Sequence, residues 1–281
     1  MNHLQSDYPV SDLARTLDVT SAGFYAHQRK PERLRRQEDA RLATEIQPIF
    51  VDSRKTYGSP RICAALRQKG QRHGRNRIAR IMRQNQWRAR QKRRYRPQTT
   101  QSDHDQPIAP NWLKRIPAAA GPNQIWVADI TFIETDEGWV FLAVILDAFS
   151  RKVVGWHMAQ SLESPLVQEA LRRAVQKRGS LRGLLHHSDR GVQYASSSTR
   201  ALLATYQITP SMSRVANPYD NALAESFFAT LKTECFGVAQ PATRAQAQLM
   251  VFDYIETFYN PKRLHSALDY KSPVDFENQT H

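Results

Sequence analysis

The sequence predicts an α/β core preceded by an all-α arm, on three observations. From Gln124 the apolar pattern changes from a helical period to strand-like runs. Three such runs follow one another across short turns, and helices then alternate with short apolar strands, as in a mixed sheet with helices on its faces. The third observation is charge. Residues 1–116 carry 25 Lys and Arg against 10 Asp and Glu, whereas residues 117–281 carry 15 against 16, so the net +14 lies in the first part. An arm that neutralises phosphates needs that distribution, although a solvated basic surface has it too. A chain of 281 residues exceeds one average domain, which sets the expectation at two or three modules.

Taken in order, residues 1–56 form a helical segment. VSDLARTLDVTSAGFYAH (10–27) has the pattern of a small helix-turn-helix: Leu13, Ala14 and Leu17 make a stripe, Asp18-Val19-Thr20 a turn, and Phe24-Tyr25 close the second helix. It reads equally as a DNA-contacting unit or as a hairpin that only packs. Residues 33–52 are charged with a helical period, Leu34, Leu42, Ile46 and Ile49 forming the apolar face. Residues 57–94 hold a second, strongly basic helix-turn-helix. Pro60 suits a helix start, Ile62, Ala65 and Leu66 face inward, and Gly70 ends the helix. The next helix, from Asn76, buries Ile78, Ile81 and Met82 and turns Arg77, Arg80 and Arg83 outward. After Trp87, six of the nine residues from Arg88 to Arg96 are basic, among them Arg90, Lys92, Arg93 and Arg94, and Tyr95 lies among them. Basic residues with interleaved aromatics favour nucleic acid over a bland solvated face.

Residues 95–123 contain five prolines and no periodicity, the mark of a linker. Residues 124–236 are the core. IWVADITFIE (125–134) is apolar on both faces like a central strand, WVFLAVIL (139–146) follows the Gly138 turn, and VVGWHM (153–158) is the third strand. Ser164-Pro165 opens a helix to Gly179, GLLHH (183–187) is a short buried strand, Ser196–Thr205 a helix, Ile208–Met212 a strand, and a long helix runs from about Asp220 to Cys235. Residues 237–281 supply a last helix with the stripe Met250, Val251, Tyr254, Ile255 and Phe258, then a closing segment.

Three acids carry the chemistry. Asp129 interrupts the first core strand, and a buried carboxylate must be paired, hydrogen-bonded or metal-bound. Alone it reads better as a satisfied structural acid. Asp189 lies just past a strand end, where sheet-based sites sit, and alone it reads equally as a turn residue before Gly191. Glu225 is about 200° around its helix from Leu223, away from the stripe Leu223, Phe227 and Leu231, and Lys232 returns to its angle two turns on. Glu234 falls on the stripe side and is the poorer ligand. Three converging carboxylates suit hard cations such as Mg²⁺, two of which would serve an in-line displacement at phosphorus. Asp147 reads as a turn cap. His186 and His187 read as packing groups, and Asp253 and Glu256 as acids without convergent partners. Cys63 and Cys235 have no metal-ligand spacing, so neither a disulfide framework nor a zinc site is indicated. The absence of a Gly-rich phosphate loop and of a Ser-His-Asp signature argues against nucleotide hydrolysis and acyl transfer. The opening MNHLQSDYPV has no apolar signal core, and the longest apolar run, Trp139–Leu146, is too short to span a bilayer.

WVADITFIET, LDAFSRKVVGW, HHSDRGVQYAS, NPYDNALAESFFATLKTE and YNPKRLHSALDYKSP together resemble the retroviral-integrase-type transposases of the IS-three group of bacterial insertion sequences, in order from about Tyr57 to Phe276. The resemblance implies a ribonuclease-H-like core with Asp129, Asp189 and Glu225 as the acidic, metal-holding triad. It implies two Mg²⁺ ions (Mn²⁺ substituting) and Lys232 as a DNA contact near the reacting end. It implies metal-dependent 3′-end cleavage and strand transfer, through attack on the other end of the same element and a circular product that later integrates. The implied partners are double-stranded DNA (terminal inverted repeats and target), further copies of the chain, and a helix-turn-helix protein from an upstream frame; the implied setting is the bacterial cytoplasm and nucleoid. Val215-Ala216 stand where relatives often carry Gly. Arg263 and His265 belong to the closing motif and read as structural or DNA-facing. A non-catalytic DNA-binding repressor and a ribonuclease-H-like nuclease are the alternative functions.

Overall fold

A computed structural model describes residues 4–29, 32–90, 105–179, 181–214, 221–237 and 239–279. The arm consists of α1 (Val10–Thr16), α2 (Ser21–Arg29), α3 (Glu32–Asp52), α4 (Ser59–Gln68) and α5 (Arg75–Gln84). In α1 and α2, Ala14 and Phe24 are buried, and the Thr20 hydroxyl accepts the Gly23 amide as a cap. Leu17, expected in the stripe, is exposed. So is Leu34, 56% exposed in the first turn of α3; that helix buries only its later half, through Leu42, Ile46, Ile49 and Phe50. Pro60 does lie in the first turn of α4, Ile62 and Leu66 are buried, and α5 buries Ile78, Ile81 and Met82. These side chains from α3, α4 and α5 share one core.

The core sheet has five strands: β1 (Ile125–Thr135), β2 (Gly138–Asp147), β3 (Val153–Ala159), β4 (Leu185–Ser188) and β5 (Thr209–Met212). Their order is β3-β2-β1-β4-β5, with β1–β3 an antiparallel meander and β4 and β5 parallel to β1. Alternation along β1 sorts the two faces. Ile125 and Val127 join a core built with α9 (Ala222–Glu234), α10 (Arg244–Phe252), the π-helical turn Asp253–Tyr259 and the arm. Trp126 and Ala128 join a second core, under α6 (Ser164–Arg178), α7 (Val192–Ala195) and α8 (Ser197–Thr205). At Gly155 on β3 any Cβ would lie 2.4 Å from the Ala170 carbonyl oxygen of α6, so glycine lets this helix settle on the sheet.

Asp147 ends β2 as a cap: its carboxylate accepts the backbone amides of Asn123, Phe149 and Ser150. The proline-rich stretch, in its described part, lies against the fold, with Trp112, Leu113 and Ala119 packed on the first core and the Trp112 amide donating to Ser211 Oγ at 3.0 Å.

The closing segment ties the arm to the core. The Asn260 side chain pairs with both the N–H and the C=O of Val153, serving the outer strand β3 as a further strand would. The Tyr57 hydroxyl, just before α4, accepts the Leu264 amide at 2.7 Å and donates to the Lys262 carbonyl, while Arg61 Nε donates to the Leu264 carbonyl. The 3₁₀ turn Ser266–Leu268 and α11 (Pro273–Asn278) complete the chain. No described helix is long and apolar enough to cross a membrane.

Candidate active site

The parallel pairing of β1 and β4 sets the geometry of the site. Ile125, Trp126 and Val127 stand beside Leu185, His186 and His187. Carried two residues further, that register puts Asp129 beside Asp189, at the point where β4 gives way to the turn into α7. Asp189 is fixed by its own turn, its Oδ1 accepting the Gly191 amide at 3.0 Å. A Cβ at Gly191 would lie 3.1 Å from that oxygen and 2.9 Å from Gln193 Oε1, so any larger residue pushes on the carboxylate. Asp129 Oδ1 accepts the amide of Ile130 at 2.8 Å.

Glu225 reaches the same place from the first turn of α9, which packs on β1 and β2 through Ala224, Phe227, Phe228 and Leu231. Leu223 is only half-buried, so the inward stripe is turned by one residue from the expected one. Glu225 stays on the exposed side and Glu234 on the buried side, as the helix geometry predicts.

Electrostatics show the charges of the other two acids acting on Asp129. Burial pushes the Asp129 carboxyl well above the ordinary aspartate range, and the charges of Asp189 and Glu225 push it further; only the Ile130 amide opposes them. Burial also raises Glu225. The acids are near enough to repel, but among the described residues no three His, Cys, Asp or Glu side chains are drawn together tightly enough to enclose one ion. Lys232 lies two turns along α9 with its Nζ 4.8 Å from the ring centroid of Phe132, three residues beyond Asp129 on β1, and burial lowers its ammonium below the ordinary lysine value.

The arm differs from the expected basic surface. Arg77 Nε donates to Asp39 Oδ1 at 2.8 Å, its Nη2 to Glu38 at 3.1 Å, and Arg80 Nη2 to Asp39 Oδ2 at 2.7 Å. Burial would raise the Asp39 carboxyl, but the two guanidiniums hold it below its ordinary range. Arg77 and Arg80 are thus half-buried against α3 rather than fully turned out, while Arg83 and Arg88 are exposed and Arg90 half-exposed. Lys92, Arg93, Arg94 and the Val215-Ala216 loop lie outside the described residues.

The other polar side chains read from the sequence have these partners. Asp253 has a partner in Arg54 at 2.7 Å, and Glu256 accepts Trp156 Nε1 and Lys177. Arg263 is structural, forming a two-pronged ion pair with Glu234. His187 Nδ1 pairs with Ser211 Oγ, and His186 is buried, with burial and the neighbouring His187 lowering its pKa to about 4. One group near the acids was not singled out from sequence: Tyr194, on the short helix α7, whose phenol feels the charges of Asp129 and Asp189. Its only sequence signal is its place within HHSDRGVQYAS.

Comparison with known proteins adds the family. Models described as "Integrase core domain" match residues 119–218 and 225–281, and one described as "HTH-like domain" matches 36–95. An insertion element IS600 uncharacterized 31 kDa protein of Shigella sonnei is 38% identical over 96% of this chain and 98% of its own length. The transposase for insertion sequence element IS904 of Lactococcus lactis is 40% identical over 84% of this chain and 93% of its own. Transposase InsF for insertion sequence IS3A of Escherichia coli is 35% identical over 98% and 96%. Among solved structures, the HTLV-2 integrase catalytic core domain in complex with magnesium (trimeric form) is 17% identical, with a TM-score of 0.41 over 57% of this chain and 99% of that one. With an integrase core, a helix-turn-helix-like arm and relatives at this identity over nearly the full length, the chain belongs to the IS3-type family of insertion-sequence transposases with a ribonuclease-H-like core.

Proposed function

We propose that the protein is a DNA transposase that cuts the 3′ ends of an insertion sequence and joins them to a second phosphodiester, with Asp129, Asp189 and Glu225 as its catalytic carboxylates. One observation supports the residue assignment: with Asp189 set beside Asp129 by the β1–β4 register and Glu225 on the first turn of α9, the charges of both bear on the buried Asp129.

The donor set fits a hard divalent cation. All three groups are carboxylates, and the charges acting on Asp129 are both negative, a balance that a cation would reverse. Mg²⁺, or Mn²⁺ in its place, would polarise the attacking and leaving oxygens of an in-line displacement at phosphorus. The chain's own parts do the rest. Asp129 and Asp189 hold the rigid side of the site, because strand pairing and the Gly191 amide fix them. Glu225 closes the other side from α9. Lys232, held over Phe132, is placed to take a phosphate of the DNA beside the reacting bond. Arg83, Arg88 and Arg90, together with Lys92, Arg93 and Arg94, bind the backbone of double-stranded DNA, while Arg77 and Arg80 are held by Asp39 at the edge of that surface. In the first step water attacks the phosphorus and a 3′-hydroxyl leaves; in the second that hydroxyl attacks another phosphodiester, whose own 3′-oxygen leaves and takes up the proton. Two ends must be held together, so at least two copies of the chain act on the DNA, in the bacterial cytoplasm and nucleoid.

A strand-transfer assay on terminal-repeat DNA with Mg²⁺ or Mn²⁺, comparing the wild type with Asp189→Asn, tests the assignment. The variant is expected to bind DNA but not join it; equal joining by both proteins removes Asp189 from the mechanism.

A further inference from the structure

Trp139, beside the Gly138 turn that opens β2, is 48% exposed. Its indole meets the Phe132 ring nearly at right angles, with centroids 4.8 Å apart, and Phe132 stands opposite Phe141 in the β1–β2 register. Strand alternation puts these three rings on the α6 face of the sheet and Asp129 on the other. The edge of β1 joins the two faces. β4 pairs β1 only from Ile125 to Val127, so past Asp129 no described strand covers that edge. Lys232 crosses it: the residue belongs to α9, on the Asp129 face, and its Nζ lies 4.8 Å from the Phe132 centroid.

The exposed indole is held on a braced turn. At the start of α10, Arg244 Nε donates to the Trp139 carbonyl at 3.3 Å, its Nη1 to Gln160 Oε1 at 3.2 Å, and its amide to Glu137 at 2.9 Å. The charges differ along the patch. Glu134, exposed and directly opposite Trp139, repels a phosphate at the indole end, whereas the Lys232 ammonium attracts one at the other. A flat neutral group therefore suits Trp139 and an anion suits Lys232, and a nucleotide carries both.

We propose that Phe132 and Trp139 form a stacking platform for an unpaired nucleobase of the DNA, whose strand runs from the acids over the open edge of β1 with a phosphate on Lys232. Inside a duplex both faces of a base are taken by its neighbours, so only an unpaired base has a face to offer an indole, and such stacking tolerates any sequence. Phe132 is three residues past Asp129, about 10 Å along β1, so the platform takes a base near the reacting phosphodiester and not at it. The proposal rests on the reading of the chain as a DNA-processing enzyme.

The test is fluorescence anisotropy of labelled oligonucleotides with the full chain in EDTA, where the acids hold no metal. The probes are a blunt duplex and the same duplex with a short single-stranded overhang. The wild type is expected to bind the overhang duplex about tenfold more tightly than the blunt one. Trp139→Ala is expected to bring the overhang affinity down to that of the blunt duplex, and Trp139→Phe, which keeps an aromatic face, to recover most of the difference. An equal overhang preference in the wild type and Trp139→Ala overturns the platform, as does a wild type with no preference; both leave the DNA-processing reading standing. Failure of the wild type to bind either duplex overturns that reading and the platform with it. Should Trp139→Ala fail to fold, 2-aminopurine at the unpaired position decides with the wild type: quenching on binding supports the stacking, and undiminished emission overturns it.

Discussion

Glu225 and Glu234 lie on one helix, nine residues apart and so about 180° from each other around it. Glu234 is 6% exposed and accepts three hydrogen bonds, two from Arg263 and one from Tyr254. Burial would lower the Arg263 guanidinium, but the Glu234 carboxylate more than reverses that, and Arg263 is held above its ordinary range. Glu225 faces outward, burial raises its carboxyl, and its charge adds to the repulsion on Asp129. An acid whose every oxygen is served holds parts of the fold together. On the proposed reading, acids whose charges bear on one another form a site that a cation would complete. One helix uses one side for each purpose, and the closing segment, through Arg263, keeps the helix in place.

The sharpest way to break the comparison is to neutralise each acid. Glu225→Gln is expected to lower strand transfer by at least about a thousandfold while leaving melting temperature nearly unchanged, because the side chain is exposed; joining assays and calorimetry on the same preparation check both. Arg263→Ala is expected to have the opposite profile, a stability loss of about 3–5 kcal/mol in urea unfolding. Adding Glu234→Leu should restore much of it by removing the stranded charge. A loss in the double variant as large as in the single would show that the pair matters through its shape and not its charge.

Glu277 extends the contrast to pH. It accepts Arg178, Lys152 and Ser150, and although burial would raise it, these partners pull its pKa down to about 2. A carboxyl depressed in the folded state contributes stability above its ordinary value near 4.5, and that contribution is lost as pH falls toward 2. Glu277→Gln should therefore be less stable than the wild type at neutral pH, with the difference closing between about pH 4.5 and pH 2. Denaturant midpoints across that range check it. The smallest effect belongs to Arg54→Ala. In its ion pair Asp253 is 59% exposed and Arg54 26%, so the pair is expected to contribute about 1 kcal/mol or less.

The meander, the order of later elements and the opposed faces of Glu225 and Glu234 were legible because they rest on local periodicity. The proline starts of α4 and α6 were legible for the same reason. The partners of charged groups were not. Asp39 meets Arg77 across thirty-eight positions and Arg54 meets Asp253 across 199, and no periodic pattern encodes such distances. For the same reason α5 read as a fully exposed basic face. Leu34 was misplaced because a stripe predicts which side of a helix is apolar, not how far along it a neighbour reaches. The short helix α7 is below the length that periodicity resolves, which is why Tyr194 escaped notice.

The Tyr57 hydroxyl and Leu264 are separated by 207 positions. At about 5–20 residues per second of synthesis, the arm waits roughly 10–40 s for the closing segment it will be tied to. During that interval the helix-turn-helix is already made and its anchor does not yet exist. If the proposed function holds, the newborn protein would pass through a period in which its arm could meet DNA before that arm is tied to the core that would cut it.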